Sequence, residues 1–121
     1  METKFNFNSQ ICTNKIQSIH LLALGLKKET SDMTIHIKYD GSWYVTADPF
    51  YEWEDDMNTL PSWEDTEQIL PAWSLHRLIE MVSHTQYPYY VISKELPIYD
   101  ALCERIEWLI KEGYFNKEYL V

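Results

Sequence analysis

The chain has 121 residues, 45% hydrophobic, 24% charged and 15% aromatic, with a formal net charge of −9. That length suits one domain and not two, and the balance of apolar and charged residues excludes a disordered chain. No stretch approaches the roughly 20 apolar residues of a membrane-spanning helix, and the opening residues around Phe5 and Phe7 lack the apolar run of a signal peptide, so the expectation is a soluble, cytoplasmic protein.

In chain order, Thr13 or Asn14 is placed to cap a first helix over about 14–26, with Ile16, Ile19, Leu22, Ala23 and Leu26 at helical spacing. Gly25 near its end suits a left-handed cap. Met33, Ile35, Ile37 and Tyr39 then alternate with Thr34, His36 and Lys38, and Asp40-Gly41 separates them from Trp43-Tyr44-Val45-Thr46. Two strand-like runs around Asp-Gly predict a hairpin near 33–47 with a tight primed turn. Residues 48–70 read as an irregular segment, with a short helix after Ser62, where Ser62 and Asp65 form a weak capping box.

Pro71 suits the first turn of a second helix over 71–83, with Ala72, Leu75, Leu78, Ile79 and Val82 on one stripe. Tyr87–Ile92 is aromatic and β-branched and predicts a strand near 87–93, with Pro88 marking an edge or a strand start. A third helix over 99–112 carries Ala101, Leu102, Ile106, Leu109 and Ile110 inward and stops at Gly113. The predicted architecture is α+β: about three antiparallel strands covered on one face by helices.

The charge is unevenly placed. Between Tyr39 and His76 stand nine acids and no Lys or Arg, whereas the remaining residues hold ten acids and ten bases. The whole excess therefore sits in one segment, and its field repels phosphate backbones, which argues against direct DNA or RNA binding. Trp43, Trp53, Trp63 and Trp73 fall ten residues apart, but their flanks disagree and the spacing reads as coincidence.

Three stretches carry a resemblance. They are Cys12-Thr13 leading to Leu21–Leu26 and on through Glu29-Thr30-Ser31-Asp32-Met33; Pro71-Ala72-Trp73-Ser74-Leu75; and Tyr99-Asp100-Ala101-Leu102 through Ile106–Ile110 to Gly113-Tyr114. Together the chain resembles a family of small uncharacterised proteins of bacterial prophage and mobile-element genes. The resemblance implies a phage or mobile-element accessory role in a bacterial cytoplasm. It brings no assigned activity and no functional residues.

The chemistry-bearing residues form no recognised catalytic pattern. His20, His36, His76 and His84 have no metal-ligand spacing, Cys12 and Cys103 lie far apart with no partner motif, and three glycines cannot build a phosphate loop. Glu54-Asp55-Asp56 provide neither the spaced carboxylates of a glycosidase nor the one-three-five spacing of a Ca²⁺ loop. The reading is of a non-enzymatic protein needing no cofactor or metal. Its expected contact is the acidic aromatic segment, through Glu52, Trp53, Glu54, Asp55, Asp56 and Trp63, with a basic host or phage protein as partner. The alternative is a small-molecule-binding or enzymatic domain with a pocket between the sheet and the helix that starts at Pro71. A homodimer through the Tyr87–Ile92 edge is a third reading.

Overall fold

The computed structural model describes residues 10–50, 66–85 and 95–121. Among them run, in chain order, α1 (Lys15–Ala23), β1 (Met33–Lys38), β2 (Trp43–Thr46), β3 (Thr66–Ala72), α2 (Leu75–Ser83) and α3 (Ile98–Lys111), with short 3₁₀ turns at Lys28–Thr30 and Lys117–Tyr119. The strands form an antiparallel sheet in the order β2-β1-β3, so the fold is α+β. None of these helices is long and apolar enough to cross a membrane.

The hairpin forms where expected but turns differently. Ile35 faces Val45 and Ile37 faces Trp43 across it. Gly41 takes φ 88°, while Asp40 keeps a negative φ, so the turn is not the two-residue primed type. The Gly41 amide donates to Lys38 O at 3.0 Å and Lys38 N to Ser42 O at 2.8 Å, closing a three-residue loop with Gly41 at its left-handed position. Asp40 favours this form because its carboxylate accepts both the amide and the hydroxyl of Ser42, at 2.8 and 2.6 Å.

The strand near 87–93 lies outside the described residues, and the partner of β1 on its other side is β3. That stretch reads in the sequence as the end of an irregular segment and, from Pro71, as helix. Leu70 and Ala72, buried on one face of β3, pair with Ile35 and Met33. Among the described residues β3 is paired on one side only, a position where proline's missing N–H is tolerated. The helix consequently begins at Leu75, where Ser74 caps it by accepting from the Arg77 amide at 3.2 Å. Asp32, just before β1, holds Ser74 in turn, accepting its amide at 2.9 Å and its hydroxyl.

The core has two parts. The larger lies among the helices: Leu21, Leu78, Met81, Leu102, Ile106 and Leu109 gather around Trp73, which is fully buried and donates its Nε1–H to Thr30 Oγ1 at 2.9 Å. The smaller lies on the sheet, where Cys12, Ile35, Leu70 and Ala72 pack together with half-buried Met33, Ile37 and Val45. α1 links the two, packing on β3 and on α3, and α2 packs on α3. Residues 29–33 and 71–75, two of the stretches that carry the sequence resemblance, thus hold each other through Thr30–Trp73 and Asp32–Ser74. Gly25, at φ 101°, ends α1 with its amide on Leu22 O, and the next amide, that of buried Leu26, reaches back to Leu21 O. This is the expected left-handed cap.

Candidate functional site

The site begins with the way α1 is turned. Asn14 and Gln17 form a reciprocal capping box: Asn14 Oδ1 accepts from the Gln17 amide at 2.8 Å, and Gln17 Oε1 accepts from the Asn14 amide at 3.0 Å. Gln17 Oε1 also accepts from Gln10 Nε2 at 2.7 Å, and Gln17 Nε2 donates to Asp100 Oδ1 at 2.6 Å, in the first turn of α3. Buried Ser18 shares a 2.8 Å hydrogen bond with Thr13, which is itself bonded through amide and hydroxyl to the backbone of Trp73. Buried polar groups keep such partners, so this network fixes which side of α1 looks inward.

The apolar stripe expected to pack inward is therefore split. Gln17, Ser18 and Leu21 are buried. Ile16 is 79% exposed and Ile19 46%, and Ala23 is exposed with them.

Ile16 stands on one rim of an apolar groove of about 480 Å³. The floor is Ile35 and Ile37 of β1, the near wall is Asn14, Lys15 and Ile16 at the start of α1, and the far wall is Trp43 at the start of β2, with Gly41 at its end. Trp43 is 65% exposed, so its ring is a wall and not a core element. Tyr39 and Ile11 are further exposed apolar residues on the hairpin turn and just ahead of α1. A groove that leaves large apolar side chains in water on both rims is what an interaction site presents.

Ile16 also borders a second, more polar depression of about 240 Å³, lined by Gln17, His20, Asp100, Cys103, Glu104 and Glu107. Glu107 accepts from Lys111 at 3.0 Å and from His20 at 3.3 Å, and these two bonds, Lys111 first, hold its carboxyl below the usual range. Asp100 is engaged by Gln17 through one oxygen, and Glu104 is exposed and makes no hydrogen bond or ion pair among the described residues.

The opposite face of the sheet carries buried polar groups beside a partly exposed Tyr44. Thr34 and His36 are fully buried there. Thr34 Oγ1 donates to Asp48 O at 2.8 Å, His36 lies 2.9 Å from Thr46 Oγ1, and its ring stacks on Tyr44 with centroids 4.5 Å apart and planes within 3°. Burial pushes the His36 pKa down, against a smaller upward pull from Asp48. Burial likewise drives the Cys12 thiol up to about 11, aided by Asp32, and the Cys103 thiol up to about 12, aided by Asp100. Among the described residues no three of His, Cys, Asp and Glu come together as metal ligands.

Glu52, Trp53, Glu54, Asp55, Asp56 and Trp63 lie outside the described residues, as does the Tyr87–Ile92 edge. The groove floored by Ile35 and Ile37 is bordered by α1 and, among the described residues, not by α2. Ile16, Ile19 and Trp43 are not among the contacts expected from the sequence. The signal available for the first two is the Asn14-x-x-Gln17 pair, since a capping-box glutamine next to a serine marks a polar helix face that tertiary bonds can claim. Set against family models, curated proteins and solved structures, the chain matches none of them.

Proposed function

We propose that this chain is a non-enzymatic accessory protein, of phage or mobile-element type, that acts by binding another protein. The observation that carries the reading is the outward turn of α1, which sets Ile16 and Ile19 in solvent while Gln17 and Ser18 are buried. Burial of an isoleucine is worth about 1.5–3 kcal/mol, and a helix that spends its polar side on internal bonds keeps that gain for a partner. The acidic aromatic segment, Glu52, Trp53, Glu54, Asp55, Asp56 and Trp63, joins β2 to β3 in the sequence and supplies a second contact and the electrostatic steering.

Pull-down from bacterial lysate tests the reading with three baits: the intact chain, Ile16→Glu/Trp43→Ala, and a chain with residues 50–67 replaced by a Gly/Ser linker. Specific partners held by the intact chain should be lost or depleted from at least one altered bait. Identical recovery by all three baits counts against both contacts.

A further inference from the structure

We infer that the groove between α1 and the hairpin receives a basic amphipathic segment of the partner, an apolar side chain entering between Ile16 and Trp43 while an adjacent Lys or Arg lies along α3. The inference rests on the protein-binding reading above and gives the partner a chemistry.

Two neighbouring depressions meet at one residue. The groove of about 480 Å³ is apolar on its floor and, among the described residues, has Lys15 as its one lining charge. The depression of about 240 Å³ on the other side of Ile16 is lined by Asp100, Glu104 and Glu107. An occupant crossing Ile16 therefore passes from a hydrophobic hole to carboxylates within a few residues. Glu107 is already bridged by Lys111 and His20, so among the described residues Glu104 and the second oxygen of Asp100 are the groups open to an incoming cation. A desolvated acidic partner surface would meet like charge there, whereas a basic one gains. The net charge of −9 acts in the same sense at longer range, accelerating encounter with a basic segment and slowing that of an acidic one. Apolar anchoring supplies the affinity and charge supplies the sign of the partner.

Three synthetic 14-residue peptides serve as probes: a Leu/Lys sequence with Leu at helical spacing, its scramble with Leu spread around the helix, and a Leu/Glu counterpart of the first. Each is titrated into the full chain at 0.1 M salt, with binding read by calorimetry and the position read from the Trp43 indole and Ile16 amide signals in ¹H–¹⁵N spectra. The amphipathic basic peptide should shift both signals and bind about tenfold or more tightly than the other two. Trp43→Ala and Ile16→Glu should each weaken it about tenfold. Glu104→Lys should weaken it about two- to fivefold, an effect that disappears at 0.5 M salt. Urea midpoints of the three variants, all at exposed positions, confirm that the fold is intact.

Equal binding by the scramble or the Leu/Glu peptide overturns the inference, as does tight binding unaffected by Trp43→Ala and Ile16→Glu. In the last case the protein-binding reading survives through the acidic segment. That reading fails separately, when the three pull-down baits recover identical sets.

Discussion

Exchanging the two neighbouring residues Ile16 and Gln17 for alanine, one at a time, tests the orientation of α1 on which the groove depends. Ile16 is 79% exposed, so at most about a fifth of its side chain is withdrawn from water. At about 1.5–3 kcal/mol for full burial, its removal costs about 0.3–0.6 kcal/mol. Alanine's higher helix propensity returns a few tenths of a kcal/mol, leaving Ile16→Ala near zero. Gln17→Ala removes three side-chain hydrogen bonds, to Gln10, the Asn14 amide and Asp100. At about 0.5–1.5 kcal/mol each, less a few tenths for propensity, the cost is about 1–4 kcal/mol. Urea unfolding at pH 7, followed by far-UV circular dichroism, measures both. A helical-wheel reading that buries the isoleucines predicts the reverse order, with Ile16→Ala costing about 2–5 kcal/mol. A loss above about 1.5 kcal/mol for Ile16→Ala, or an unchanged midpoint for Gln17→Ala, would refute the outward turn of α1 and the groove with it.

Ser74→Ala removes the cap of α2 and one of the two Asp32 bonds, and should lower stability by about 1–2 kcal/mol in the same assay. His36, whose folded pKa lies below its unfolded 6.5, makes the fold acid-sensitive: below about pH 6.5 the unfolded chain binds a proton that the native site resists, so stability falls as pH drops. Urea midpoints between pH 7.5 and 5.5 should decline, with a shallower slope for His36→Gln; equal slopes would show that another group is responsible. Cys12 and Cys103, buried and with thiols near 11 and 12, should react with a thiol reagent at pH 8 only as fast as the chain opens, and at once in urea. Immediate stoichiometric labelling of the native protein would contradict their burial.

Local chemistry determined much of the fold. Asn14 and Gly25 bound α1, alternation and Asp40-Gly41 make the hairpin, and the spacing of Leu102, Ile106 and Leu109 makes α3, because caps, turns and helical periodicity depend on residues a few positions apart. Tertiary structure decided what depends on distant partners. β3 is a strand because Leu70 and Ala72 find Ile35 and Met33 on β1, and among the described residues it pairs on one side only, which makes Pro71 acceptable. The same holds for the site: Ile16 and Ile19 share a stripe that the sequence alone assigns to the core. Bonds from Gln17 to Asp100, 83 positions away, and from the Ser18–Thr13 pair to Trp73 turn those two isoleucines into solvent while Leu26 of the same stripe stays buried. Which face of an amphipathic helix is inside is set by the whole set of groups it must satisfy, and that set exists only once the chain has folded.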